Sequence, residues 1–170
     1  MLPADLELRG LEPRDLDAIT ELVHRCDRTY LDWAPPGWRP PDLDWYRERW
    51  EERLPHPEVW ARGAFDGRGG LVGFVAFRAE PDRPRVAHVN AVFVDPRRWR
   101  EGIAKSMLAL AEEEMRARGY RHARLWTPEG GPACDFYERV GWRLDGWRDW
   151  FEPLRLNVVG YEKPVSPSTS

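Results

Sequence analysis

Lysine is nearly missing from this chain, which carries 2 lysines and 24 arginines in 170 residues. Basic side chains are also outnumbered, 26 against 29 acidic ones for a net charge of −3. A general polyanion binder carries a basic excess or stripe, so no nucleic-acid partner is expected. Cysteine is scarce as well. Cys26 and Cys134 lie far apart without metal-ligand spacing, so no metal is expected and both read as reduced thiols of a cytoplasmic protein. No apolar run approaches the roughly 18 to 20 residues that cross a bilayer, which argues against a membrane partner. The first ten residues, MLPADLELRG, lack the basic start and apolar core of a signal peptide. Two nucleotide signatures are absent too. GxGxxG does not occur, and Ala104-Lys105-Ser106 falls short of a phosphate loop because Ala104 and Trp99 stand where its glycines belong.

Tryptophan is abundant, with ten residues. Five of them (Trp33, Trp38, Trp45, Trp50 and Trp60) fall in the first 60 residues, where they read as packing or as an aromatic-walled pocket. Hydrophobic periodicity gives a short strand at Leu6–Arg9 and a helix from Pro13 with Leu16, Ile19, Leu22 and Val23 on one face. The proline-rich loop 31–42 cannot hold a regular element. A second helix over Leu43–Leu54 follows, with Leu43, Tyr46, Trp50 and Leu54 aligned. Strands are expected at Val59–Phe65, Leu71–Arg78 and Val86–Val94. A long helix to Gly119, a strand at His122–Trp126, a short helix at Ala133–Val140 and a final strand pair (Trp142–Trp147, Leu154–Tyr161) complete the order. This is an α/β chain in one domain over residues 1–163, with a polar tail over 164–170 that reads as disordered.

The most informative stretch is Val89–Gly119. An apolar strand stops at Asp95-Pro96, a loop of arginines follows, and a helix starts after Gly102. First-turn amides have no intrahelical partner, and the dipole is positive at that end, so the arrangement suits an anion. Gly102 and Ala104 let a ligand approach the backbone, and Arg97, Arg98 and Arg100 add charge.

Val94-Asp95-Pro96-Arg97-Arg98-Trp99-Arg100-Glu101-Gly102-Ile103-Ala104 resembles the acetyl-coenzyme A loop of the GNAT superfamily of N-acetyltransferases, V-x-P followed by [QR]-x-x-G-x-[GA]. About thirty residues on, Ala133-Cys134-Asp135-Phe136-Tyr137-Glu138-Arg139-Val140-Gly141-Trp142 resembles that family's A-x-x-F-Y-E-x-x-G-[FW], and Asp145-Gly146 continues it. Trp99, Arg100 and Gly130 depart from it, standing where Gln or Arg, Gly, and Asn are common. The resemblance implies a mixed, mostly antiparallel sheet of about six or seven strands, with helices on both faces and a splayed strand pair that takes coenzyme A.

It further implies acetyl transfer from acetyl-coenzyme A to a primary amine of a small molecule or peptide. Val92, Phe93, Val94, Trp99, Arg100, Glu101, Gly102, Ile103, Ala104, Lys105 and Phe136 would bind the cosubstrate, and Tyr137 would protonate the leaving thiolate. His88 and Asn90, two apart on one strand, point to one side by period two. His88 is the candidate base through water, and Asn90 a substrate contact. Glu129 and Asp135 are further carboxylate candidates. Tyr30, Asp32, Trp33 and Trp38, with Trp45 and Tyr46, would form an acceptor pocket suited to a cationic amine. A non-catalytic acyl-coenzyme A sensor or scaffold is the alternative. The acceptor, the acyl length, the base and a homodimeric state stay open.

Overall fold

Residues 1–165 are described here from a computed structural model. Short strand-forming segments along the chain build a seven-stranded sheet: β1 (Glu7–Gly10), β2 (Trp60–Phe65), β3 (Leu71–Glu80), β4 (Arg83–Val94), β5 (His122–Pro128), β6 (Arg143–Phe151) and β7 (Leu156–Pro164), in spatial order β1-β2-β3-β4-β5-β7-β6. Every neighbouring pair is antiparallel except β4 with β5. The helices are α1 (Leu16–Arg28), α2 (Leu43–Arg53), α3 (Ile103–Ala117) and α4 (Pro132–Arg139). Among the described residues, no helix is long and apolar enough to cross a membrane.

Two cores sandwich the sheet. On one face, Ile103, Met107, Leu108, Ala111 and Met115 form a helical stripe on α3 that packs with Val75, Phe77, Val89, Leu125 and α4's Tyr137. On the other face, Ile19, Leu22 and Val23 of α1 meet Tyr46 and Trp50 of α2 over Phe74, Ala76 and Ala91. Trp50 meets Phe74 edge-on with centroids 5.0 Å apart, the favourable geometry for rings with opposed edge and face charge. Leu43, expected on the buried stripe of α2, is 46% exposed because it sits in the first turn, beyond the edge of that contact.

The register explains a second departure from simple alternation. Ala76 pairs with Ala91 but Phe77 pairs with Val89, so Asn90 is an extra residue in β4. Such a bulge resets the side-chain phase. Val89 consequently faces the α3 core whereas Ala91 faces the α1–α2 core, and the period-two link between His88 and Asn90 does not hold. In β6, Leu144 pairs with Tyr161 and Arg148 with Val159, leaving Asp145, Gly146 and Trp147 bulged opposite Gly160. A Cβ on Gly160 would lie 2.4 Å from Asp145 Oδ1, so the glycine makes room for that carboxylate. Asp145 in turn accepts from Arg124 Nε and Nη2 of β5 at 3.1 and 2.9 Å.

Pro164 and Val165, placed in the tail on sequence grounds, belong to the fold instead. Pro164 pairs with His122, and Val165 is buried, its N–H donating to the Arg121 carbonyl at 3.0 Å. The expectation for 166–170 lies outside the described residues.

Candidate active site

β4 and β5 run side by side for three residue pairs, Val86 with His122, Ala87 with Ala123 and His88 with Arg124, and then part. From Val89 to Val94 no strand among the described residues lies beside the β5-facing edge of β4. Peptide groups on that edge are left for a ligand to satisfy. A cavity of about 840 Å³ opens along the gap. At one end it reaches Trp99, Arg100, Gly102, Ile103, Ala104 and Lys105; in the middle, Val92, Phe93, Val94, Phe136 and Tyr137; at the other, Asp27, Tyr30, Tyr46, Arg49, Arg53, His88 and Asn90.

The first end has the geometry that suits an anion. Gly102 caps α3 at φ 77°, and the first helical bond is Ser106 N–H to the Gly102 carbonyl at 3.0 Å, so the amides of Ile103, Ala104 and Lys105 have no intrahelical acceptor. The loop is anchored from beneath by buried Asp95. That carboxylate accepts from the Arg97 amide and side chain and from Arg25 of α1, the last at 2.9 Å. Arg97 beside it holds the Asp95 carboxyl below its usual range. Two of the three loop arginines are therefore committed internally, Arg97 to Asp95 and Arg98 to Glu101 and Asp5. Arg100 and Lys105 make no ion pair among the described residues and face the cavity. Glu101 does not line it, and its carboxylate pairs with Arg98 at 2.5 Å. Trp99 folds back so that its indole N–H donates to the Val94 carbonyl at 2.8 Å, where the Cys26 thiol also points at 3.2 Å.

Arg100 adopts φ 67°, a left-handed conformation that costs a residue with a Cβ about 1–2 kcal/mol. Arg100→Gly is expected to raise stability by about 1 kcal/mol while weakening coenzyme A binding several-fold at low salt. Thermal melts and coenzyme A titrations at two ionic strengths check both halves.

At the middle of the cavity, α4 presents Tyr137, buried and packed among Phe136, Trp142 and Tyr161 with centroids 5.2, 6.1 and 5.8 Å away. Its hydroxyl makes no hydrogen bond among the described residues. Burial pushes the phenol above its ordinary range, so it keeps its proton at any physiological pH and is free to donate it.

The far end differs most from expectation. Tyr30, His88 and Asn90 line it, but Asp32, Trp33 and Trp38 do not. Asp32 is exposed. Trp38 is buried in a small cluster with Leu154 and Leu156, its indole N–H donating to the Leu154 carbonyl at 2.7 Å. Trp33 packs at a tilt against Tyr30 with centroids 5.2 Å apart and covers Gly131, where a Cβ would meet its ring at 2.8 Å. The proline-rich loop is thus a brace behind Tyr30, Trp38 packing against the β6–β7 turn and Trp33 against Gly131.

His88 is pushed down to about 4, first by burial and then by Arg53, Arg124, Arg78 and Arg49. It is neutral at pH 7 and a weak base. Glu129 is exposed and pairs with Arg148 at 2.7 Å, and Asp135 is exposed on α4. The carboxylate that sequence reasoning missed is Asp27, in the last turn of α1. It is 4% exposed and accepts from the Tyr46 hydroxyl at 2.8 Å. Burial outweighs the hydrogen bonds from Tyr46 and Tyr30 and raises it to about 6. The one sequence signal was an acid, Asp27, directly following the buried stripe of α1.

A cleft made by two diverging strands, with geometry that suits an anion at one end, a protonated phenol midway and a buried carboxylate beyond, defines a site for an extended ligand meeting a second one. Comparison with known proteins gives that class its family. Residues 18–142 match the model of the acetyltransferase (GNAT) family, and the chain belongs to it. An uncharacterised N-acetyltransferase of Methanocaldococcus jannaschii is 28% identical over 151 residues, covering 82% of this chain and 63% of that protein. The chain thus spans less than two thirds of that relative's length.

Among solved structures, the PaiA N-acetyltransferase of Thermoplasma acidophilum in complex with coenzyme A superposes with TM-score 0.73 at 19% identity, covering 94% of this chain and 98% of that one. The ribosomal-protein-S18-alanine N-acetyltransferase of Escherichia coli gives 0.72 at 18% identity, covering 97% of each. At these identities the structures establish a shared fold.

Proposed function

We propose that the protein moves an acetyl group from acetyl-coenzyme A to a primary amine by direct attack, with Tyr137 as general acid. The observation that carries this reading is the continuity of one cavity from the α3 amides, along the unpaired edge of β4, to the unengaged Tyr137 hydroxyl. The residues present suit coenzyme A. The free amides of Ile103–Lys105 with Arg100 and Lys105 match a pyrophosphate, and the open edge at Val92–Val94 matches the amides of a pantetheine arm.

The acceptor nitrogen forms its bond to the acetyl carbon as the carbon–sulfur bond breaks. The thiolate leaves with the Tyr137 proton, and the amine's surplus proton passes to a base. Asp27, at about 6, is a stronger base than His88, at about 4, so the assignment moves from His88 to Asp27. Tyr30, which lies within electrostatic reach of both Asp27 and Tyr137, would relay the proton. Asn90 contacts the acceptor, its Oδ1 being buried without a partner.

A module that holds acyl-coenzyme A without turnover has no need of a buried phenol left unbonded beside the cleft, which favours the enzyme. Incubation with acetyl-coenzyme A and an amine panel, followed by a thiol reagent, tests this. Amine-dependent thiol release with a matching acetylated product is expected. Tight coenzyme A binding without release for any amine would establish the sensor instead.

A further inference from the structure

Resting on acetyl transfer as the activity, the nature of the acceptor is narrowed by two arginines on α2. Arg49 and Arg53 are one turn apart, on the helix face that buries Tyr46 and Trp50, and both line the acceptor end of the cavity. Neither forms an ion pair or a hydrogen bond among the described residues. Each instead lies over aromatic rings. The Arg49 guanidinium carbon lies 5.0 Å from the Trp45 ring centroid and 5.2 Å from that of Phe151, and Arg53 lies 5.0 Å from Trp50. A cation held over rings keeps its N–H fork free to bind a planar oxyanion with two parallel bonds.

Burying two cations without carboxylate partners is unfavourable unless something else neutralises them. The cost is visible in Arg53, whose guanidinium burial, together with Arg49 and Arg78, drags down to about 10. Asp27 is the carboxylate that acts on Arg49, and it is itself bonded by Tyr46 and Tyr30. The positive field extends to His88, which feels Arg53, Arg124, Arg78 and Arg49 together. A simple alkylamine or a polyamine, cationic until it reacts, is repelled by such a wall. Asn90 meanwhile offers an unpartnered acceptor oxygen on β4, in the same cavity. One end of the space therefore calls for an oxyanion and another part for an N–H donor.

We propose that the acceptor is a small amine that also carries an oxyanion, a carboxylate or phosphonate bound by Arg49 and Arg53 while its amino group lies against Asn90. The acceptor of this chain is thereby an amino acid or amino-acid-like metabolite rather than the purely cationic amine that the aromatic residues alone suggest.

The test uses α-, β- and γ-amino acids, aminoalkylphosphonates, and for each carboxylate its methyl ester and its decarboxylated amine. Thiol release is measured for the wild type, Arg53→Gln, Arg53→Lys and Arg49→Gln. At least one free acid or phosphonate is expected to exceed its ester and decarboxylated amine by 100-fold or more in kcat/KM. Which arm does so identifies the oxyanion. Arg53→Gln is expected to shrink that preference at least tenfold, mainly through KM, with Arg53→Lys restoring part of it.

Equal or better turnover of the uncharged or cationic amines would overturn the proposal, as would a variant that loses acids and esters in equal measure. If no amine releases thiol, the acetyl-transfer reading fails. The anion site is then judged by calorimetric titration of the same compounds into protein saturated with coenzyme A. Binding that requires the oxyanion and weakens in Arg53→Gln upholds the site, and its absence for every compound refutes it.

Discussion

Tyr137→Phe is expected to lower kcat by about 10²–10⁴-fold with little change in the KM for acetyl-coenzyme A. The ring stays, and with it the packing against Phe136, Trp142 and Tyr161, so the fold and the cleft wall survive. What is lost is the proton that, on the proposed mechanism, goes to the leaving thiolate. In free-energy terms that is about 3–5 kcal/mol of transition-state stabilisation. The wild type should show no alkaline loss of activity from this phenol between pH 7 and 9, since burial moves its ionisation upward, away from that range. Steady-state thiol release across that range, for both proteins, checks the two statements together. Equal rates would remove Tyr137 from the chemistry.

Asp27→Asn should make the protein more stable and less active. The carboxyl ionises near 6 in the fold and near ~3.9 when unfolded. Because the folded value is the higher one, the native state binds protons more readily. The ionised form therefore weakens the fold above about pH 6. That penalty shrinks as pH falls towards ~4 and is gone below it. A difference of about two units corresponds to at most ~3 kcal/mol. Asparagine still accepts from Tyr46, so denaturant unfolding at pH 8 should show a gain of about 1–3 kcal/mol that fades by about pH 4.

Activity should fall by about 10–100-fold, and the acidic limb of the pH–rate profile, centred near 6 if Asp27 is the base, should disappear. A variant that gains stability yet keeps that limb would show a carboxylate with a structural role alone. The predicted pairing of gained stability with lost activity is the usual mark of a charge kept buried for use.

The stretch from Val89 to Ala104 was legible because its chemistry is local. A β-branched strand, a proline stop, small residues and a helix start are each dictated by backbone sterics, and free first-turn amides follow from helix geometry alone. Tyr137 was legible because the A-x-x-F-Y-E block puts it on a short helix next to a glycine cap. Local too was the alternation that gave the strands, although the Asn90 bulge, set by pairing with β3, broke it at the place that matters.

Partnership was not legible. Three arginines in the loop read alike, yet Arg97 and Arg98 are consumed by Asp95, Glu101 and Asp5, and Arg100 is not. Three indoles before Trp50 looked equivalent, but Trp38 and Trp33 turn to the β6–β7 corner and to Gly131 while Trp45 turns to the cavity.

By itself, then, the sequence determined where the elements lie, that an apolar strand leads into a helix N-terminus with free amides, and that Tyr137 sits on a short helix beside a glycine. Those properties depend on residues within a few positions of one another. The tertiary structure alone decided that β4 and β5 separate after His88, that Asp27 is a buried carboxylate lining the cavity, and that Arg49 and Arg53 line it with no ion-pair partner among the described residues. Desolvation and charge pairing act between groups distant in sequence and near in space, and no pattern along the chain encodes which cation will find an anion before a substrate does.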